Sequence, residues 1–425
     1  MRSNSMEEIF SRSKELIEIL DSMKGVKSAG LALKLKPSEC KGFTISEIVT
    51  QIECRERTRK KLSAFLESGQ FLFPDLLASE QATDQKVALY HASKIGSGKR
   101  VADMTAGLGI DSMTIAMKGN HVSACEMLPG RFEALRYNSS SLGIKNLVSY
   151  EGDSIEWLKQ QPNSSLDYIF IDPARRDDAN RRTYFLSDCV PDVTRLADLM
   201  LSKASTVLIK ASPIMDVSKI ARDLPNVSAI EAISINNECK EILITLKRNA
   251  ESDIIKRAIE IGKEKISLCD LKKPDFEIAT ESVFDSSFNK DFGRLDNPPI
   301  AEPDEIRAGT YLYEPNSSVQ KLNFSSELCE TFHGLKKLAP NTSLYWSREY
   351  FCDFPGRKLL IEELPNRKRL QQLGGSHLNV ATRNFPLRPE EIRKKYKLKE
   401  GEDLFLYGAR VGTESLTQFI IARKK

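Results

Sequence analysis

The strongest constraint in this chain is a change of rhythm at Arg100. Before it, apolar residues recur at helical spacing; after it, short apolar runs of strand length alternate with segments long enough for a helix. Strands are expected at 100–103, 121–126, 148–151, 167–171, 206–210, 227–234 and 241–247. Runs of this kind, separated by helices, build a parallel sheet covered on both faces. The last two follow each other too closely for a crossover helix, so they close the sheet as an antiparallel pair. The expectation is a doubly wound α/β domain of seven strands ending near Arg248.

The flanks differ. Residues 7–23 place Ile9, Leu16, Leu20 and Met23 on one helical face, and 45–65 repeat Ile48, Ile52, Leu62 and Phe65 with Arg55, Arg57, Arg59, Lys60 and Lys61 between them. That basic face is either a solvated helix surface or a nucleic-acid contact. A break at Phe71-Leu72-Phe73-Pro74 precedes a third helix over 80–95. After the sheet, 250–309 carries Pro274, Pro298, Pro299 and Pro303 and reads as a small loop-rich α+β module. The tail is more regular, with strands at 377–383, 403–410 and 416–423 and a helix over 389–397 that begins with proline and two glutamates. The chain thus divides into a helical region (1–75), the α/β domain (76–249), a small module (250–325) and a C-terminal domain (326–425).

Composition narrows the classes. Hydrophobic residues make up 40% and charged residues 29% of the 425, values of a globular chain. No apolar stretch approaches the ~18–20 residues that cross a bilayer, and the first residues lack the apolar segment of a signal peptide, so a cytoplasmic protein is expected, with no membrane partner. Eight cysteines without a Cys-x-x-Cys pair and four scattered histidines argue against a metal site or a disulfide framework. From 317 to 425 there are 20 Lys and Arg against 12 Asp and Glu, a surplus of +8 on a body of −4. Such a tail suits a polyanionic partner.

The chemistry-bearing stretch is Val101-Ala102-Asp103-Met104-Thr105-Ala106-Gly107-Leu108-Gly109-Ile110-Asp111-Ser112, a strand passing through Gly-x-Gly into a helix. Glycines let a ligand approach the backbone at the positive helix end. The dinucleotide fingerprint asks for a third glycine where Ser112 stands. Asp103 beside the loop would repel a pyrophosphate but suits a cofactor carrying an ammonium and a sulfonium. Glu126, nineteen residues after Gly107, ends the second strand, where an acid accepts ribose hydroxyls. Asp153 and Asp172 follow the third and fourth strands. One such acid is a turn or a cap; four with the glycine loop line a crevice.

On these residues, 73–248 resembles the class I S-adenosylmethionine-dependent methyltransferases, which implies a Rossmann-like seven-stranded domain and S-adenosylmethionine as cofactor. The resemblance puts Asp103, Gly107 and Gly109 at the methionine end, Glu126 on the ribose and Asp153 at the adenine amino group. The whole chain is similar to a subgroup with a ferredoxin-like insert and a THUMP-like C-terminal domain. The matching pieces are Phe73-Pro74 with Glu80-Gln81-Ala82-Thr83, Asp172-Pro173-Ala174-Arg175-Arg176, Lys210-Ala211-Ser212-Pro213 with Asp216, Tyr311-Leu312-Tyr313-Glu314-Pro315-Asn316, Phe354-Pro355-Gly356-Arg357 and Arg383-Asn384-Phe385-Pro386. THUMP domains serve tRNA-modifying enzymes, so an RNA partner, tRNA or rRNA, is implied. Arg393-Lys394-Lys395-Tyr396-Lys397 would then present a basic helix with one aromatic, or else a merely solvated one.

By the same resemblance Asp172 and the Pro173 carbonyl would accept hydrogen bonds from a target amine and aim its lone pair. Amine-methylating relatives usually continue with Pro-Pro and an aromatic; here Ala174 and Arg175 follow, which leaves Tyr184 or Phe185 to stack on a base. Arg175, Arg176, Arg181 and Arg182 would meet substrate phosphates, or pair locally with Asp177 and Asp178, and Lys210 would face the same crevice. No nucleophilic thiol is indicated, Cys189 being expected to pack. The expected activity is RNA methylation; the alternatives are a protein or small-molecule acceptor, or a non-catalytic RNA binder that keeps the cofactor fold.

Overall fold

The inner apolar runs become strands because they are buried once helices cover both faces, whereas the edge strand Leu147–Glu151 leaves Val148 and Tyr150 exposed. β1 (Arg100–Asp103), β2 (His121–Glu126), β3 (Leu147–Glu151), β4 (Leu166–Ile171) and β5 (Ala204–Ala211) pair in parallel, β1 with β2 and β4, β2 with β3, β4 with β5. β6 (Val227–Ile235) and β7 (Glu238–Lys247) are joined by Asn236 and Asn237, both at positive φ (52° and 60°), as a two-residue hairpin requires. β7 runs antiparallel to β5 and lies between it and β6. The computed structural model describes residues 5–175, 185–251, 253–289 and 298–425.

The seven expected strands are all present, and the sheet carries nine. β8 (Asp253–Ile261) and β9 (Thr280–Asn289) continue the sheet beyond β6, giving the order β9-β8-β6-β7-β5-β4-β1-β2-β3. The prolines after Lys273 draw attention from the apolar positions of β8, where Ile254, Ala258, Ile259 and Ile261 are buried.

Two long N-terminal helices are broken where side chains find better partners. Residues 7–23 form Met6–Ser11 and Ser13–Ser22, split at Arg12, which leaves helical geometry, lies 4.6 Å over the Phe43 ring and donates to the Lys41 carbonyl. The helix Ile45–Thr58 starts at a Thr44/Glu47 capping box. Its basic face is largely engaged within the fold: Arg55 donates to the Gly69 and Phe71 carbonyls at 3.0 Å each, and Arg57 pairs with Glu53 and Glu80. The third helix is split into Leu76–Gln81 and Gln85–Ile95 by Ala82-Thr83-Asp84, with Asp84 capping the second piece.

Phe71, Leu72 and Phe73 are fully buried outside any helix or strand, where unpaired amides would be costly. Two side-chain amides take the place of neighbouring strands. Gln51 donates to the Phe73 carbonyl (2.6 Å) and accepts from its N–H (3.1 Å); Asn138, on the helix Pro129–Ser141, does the same for Leu72 (2.9 and 3.0 Å).

The chain separates into two compact units, one of Met1–Ile230, Glu241–Ile254 and Ile261–Thr280, the other of Glu231–Lys240, Ile255–Glu260 and Glu281–Lys425. The second contains a sheet of β10 (Tyr311–Pro315), β11 (Lys336–Lys337), β12 (Tyr345–Ser347), β13 (Gly356–Glu363), β14 (Asn379–Arg383), β15 (Leu404–Val411) and β16 (Leu416–Lys424), in the order β11-β12-β10-β13-β16-β15-β14. Alternation divides its faces: Tyr407, Ala409 and Ile420 join Trp346 in one cluster, whereas Leu406 and Ile421 join Leu370 and Ile392 of two short helices in another. Three of the peptide pieces that carry the family resemblance meet at Glu314, whose buried carboxylate takes Arg357, Arg383 and the Tyr407 hydroxyl (2.8 Å).

Asn138→Ala strands a buried N–H and carbonyl of Leu72 together. We expect a loss of about 2–4 kcal/mol, read as a lower urea midpoint with an unchanged slope.

Candidate active site

Strand order reverses in the large sheet between β1 and β4, since β2 and β3 lie to one side and β5 to the other. Open α/β sheets hold their ligands at the strand ends beside such a point. There the structure places, on adjacent strands, Asp153 after β3, Glu126 ending β2, Asp103 ending β1 and Asp172 after β4. At ~4.8 Å per strand the row spans roughly 14 Å.

Gly107 and Gly109 carry the loop with φ of +56° and +83°. A Cβ on Gly109 would stand 2.2 Å from Leu135 Cδ1, whereas one on Gly107 would meet no atom within 4 Å and point into open space. Gly109 starts the buried helix Ile110–Met117, whose positive end faces that space. Glu126 fastens the loop to β2: its carboxylate accepts from the N–H of Gly107 (2.7 Å) and of Leu128 (2.8 Å). Asp153 is exposed and caps the helix Ser154–Gln160 through the Ile155 N–H (2.7 Å).

Asp103 is 1% exposed, and its hydrogen-bond donors, the Ser112 hydroxyl (2.5 Å) and the Thr105 N–H (3.1 Å), are neutral. Burial is the main reason its carboxyl is pushed up to about 7, with Asp111 and Asp172 adding repulsion. A buried acid with neutral donors fits a ligand that brings a cation, and the open space before Gly107 leaves room for one. The serine at the third fingerprint position is explained by its bond to Asp103.

Asp172 donates its N–H to Thr105 Oγ1 (2.7 Å), and its partly exposed carboxylate accepts from Lys210 Nζ (2.6 Å). Lys210 also donates to Thr83 Oγ1 (3.1 Å), and that hydroxyl donates to Asp111 (2.5 Å). Asp111 continues to His91 Nδ1 (2.8 Å), and His91 Nε2 meets Glu241 (2.5 Å). Five charged groups of alternating sign therefore run from the buried end of β7 to the crevice. Burial alone would discharge His91, but Glu241 and Asp111 outweigh it and push its pKa up to about 10. Burial likewise opposes the charges of Lys210 and Asp111, and their partners overcome it, raising the one and lowering the other. Burial raises the Asp172 carboxyl, with Lys210 opposing.

Residues 311–355 match the ferredoxin-like domain family and 356–424 the THUMP-domain-like family. The chain is 24% identical over 356 residues, 82% of its length and 87% of the other's, to an uncharacterised S-adenosylmethionine-dependent methyltransferase of Mycobacterium tuberculosis. The crystal structure of a putative methyltransferase from Porphyromonas gingivalis W83 superposes with a TM-score of 0.78 at 26% identity, covering 97% of this chain and 98% of that one. The chain is an S-adenosylmethionine-dependent methyltransferase. A shorter likeness, 33% over 79 residues and 18% of each chain, connects this methyltransferase to a 23S rRNA (uracil-C5)-methyltransferase of Shewanella.

All five acid and glycine positions expected for the cofactor, Asp103, Gly107, Gly109, Glu126 and Asp153, lie along the one rim, and Lys210 joins Asp172 there. The Arg175 side chain, Arg176, Arg181, Arg182 and Tyr184 lie outside the described residues. Phe185 is 38% exposed, with Lys219 Nζ 4.0 Å from its ring centre. Cys189 is buried. No group of metal-ligating side chains occurs among the described residues, and no helix among them is long and apolar enough to cross a membrane. Sequence reading missed His91 and Glu241 altogether. His91 shares its helix with Gln85, Lys86, Ser93 and Lys94, and Glu241 shares β7 with Glu238, Lys240 and Thr245, so neither stands out in the sequence.

Because the native pKa of His91 lies above its ordinary ~6.5, the folded state keeps a proton that the unfolded chain releases. Its stabilisation is full below pH ~6.5 and is lost as pH climbs through about 10. The urea midpoint should fall between pH 7 and 10 in the wild type and change little there in His91→Gln.

Proposed function

We propose that this methyltransferase acts on structured RNA, tRNA or rRNA. The observation that carries the reading is the surface of the C-terminal sheet. Two short helices, Arg367–Gln372 and Pro389–Tyr396, bury Leu370 and Ile392 in one cluster and leave Arg367, Lys368, Lys394 and Lys395 exposed. Phosphate backbones bind such surfaces through released counterions. Relatives named as RNA methyltransferases, from Shewanella and Mycoplasma mobile and matched over about 80 residues, support the same substrate class. Tyr396 packs edge-on against Phe419 within that cluster, so its helix offers phosphate contacts rather than a stacking ring.

In this reading the flanking segments 1–75 and 250–425 present the acceptor to the 76–249 domain. Asp103, Gly107 and Gly109 hold the methionine end of the cofactor, Glu126 the ribose and Asp153 the adenine amino group. When bound, S-adenosylmethionine supplies a methyl carbon activated by its positive sulfur. Asp172 and the Pro173 carbonyl accept from the acceptor's N–H and keep its lone pair ~3–3.5 Å from that carbon. Phe185 provides a ring for the base, and Arg175 and Arg176 with Lys210 provide positive charge for its phosphates.

Labelled methyl should pass from S-adenosylmethionine to total RNA of a strain lacking the protein, and Asp172→Ala should abolish the transfer. Transfer to protein or to small molecules instead would move the acceptor to those classes. Glu126→Ala should weaken S-adenosylhomocysteine binding at least about tenfold, ~1.4 kcal/mol, by calorimetry; unaltered affinity removes Glu126 from the cofactor site. Lys394→Ala with Lys395→Ala should weaken RNA binding and lower the log–log salt slope by about two.

A further inference from the structure

The chain of buried charges behind Asp172 has no counterpart in the cofactor row. Its inner members belong to elements that need no polar side chain: His91 faces the core from the helix Gln85–Ile95, with its ring 5.1 Å from that of Phe170, and Glu241 lies on β7. Three carboxylates, Asp111, Glu241 and Asp172, share two cations, His91 and Lys210. A further carboxyl, Asp103, faces Asp111 and Asp172 from β1. Both ring nitrogens of His91 meet carboxylate oxygens, and only an imidazolium can donate to both at once. Lys210 is the cation for which the others would compete, because it stands among Asp172, Asp111 and Glu241.

We propose that His91 is a positioning residue of the acceptor site: by neutralising Asp111 and Glu241 it leaves Lys210 on Asp172, and so sets the charge and aim of the carboxylate that meets the methyl acceptor. The relay is Thr83, whose hydroxyl accepts from Lys210 and donates to Asp111. Without the imidazolium, Asp111 and Glu241 face Lys210 uncompensated in a medium where charges are weakly screened. Lys210 turns inward, and Asp172 loses the partner that keeps it ionised. This inference rests on the reading of Asp172 as the residue facing the acceptor, whatever that acceptor is.

The test follows the Asp172 carboxyl itself by carbon NMR of aspartate-labelled protein saturated with S-adenosylhomocysteine, so that no acceptor is needed. Asp172→Asn identifies the signal. In His91→Gln the titration of Asp172 should move up by about one pH unit or more. Lys210→Met should move it at least as far, and the double variant no further than Lys210→Met alone, because His91 acts through Lys210. An unmoved Asp172 in His91→Gln, or additive shifts in the double variant, overturns the proposal. In the wild type, imidazole nitrogen NMR should find His91 protonated on both nitrogens at pH 8; a neutral ring there overturns it too, and this measurement stands even if His91→Gln fails to fold. With total RNA as acceptor, the acid limb of kcat/KM should move up with Asp172 in His91→Gln, whereas a purely structural defect lowers the rate equally at every pH. Absence of transfer to RNA would count against the RNA reading and leave the NMR result to decide this one.

Discussion

A parallel sheet buried on both faces leaves its polar side chains one place to meet a ligand, the ends of its strands. In this chain β1, β2, β4 and β5 are such strands, and Val101, Ala102, Ile169, Phe170, Val207 and Leu208 are all buried between helices. The acids therefore gather at the carboxyl ends, and the reversal of order between β1 and β4 opens the gap into which they face. Glu126 then ties the glycine loop to β2, so that the backbone at Gly107 and the carboxylate row form one rigid rim. The crevice is a consequence of that topology more than of any single residue.

Behind the rim the same burial works against the protein. Five ionised groups lie in or next to the core, and each alone would be costly to desolvate. They persist because they alternate in sign and because Thr83 links the two halves with a hydroxyl that both accepts and donates. The break in the helix at Ala82-Thr83-Asp84 supplies that hydroxyl. A local departure from helical structure is thus required by electrostatics elsewhere in the fold.

A comparable arrangement organises the second unit. Glu314 is buried with two arginines and a tyrosine, from β10, β13, β14 and β15. Strands up to four places apart in the order share one carboxylate, which a flat sheet at ~4.8 Å per strand would not allow, so the sheet must be coiled. β10 and β13 are neighbours with Glu314 opposite Arg357, whereas Arg383 at the end of Asn379–Arg383 reaches the same carboxylate only through that coiling.

Much of this was legible in the residues. Period and turn chemistry placed the seven strands to within a few residues, and the glycine loop with Asp103, Glu126, Asp153 and Asp172 marked the rim, because those signals are local. The two added strands were hidden by nearby prolines, and the early helices broke where Arg12 and Thr83 took distant partners. His91 and Glu241 lie 150 positions apart and carry no motif, so their pairing exists only once helix Gln85–Ile95 packs beside β7. Local periodicity and steric need are written along the chain and can be read there. The sign pattern of buried charges depends on which side chains are brought within hydrogen-bond reach, and only the tertiary packing decides that.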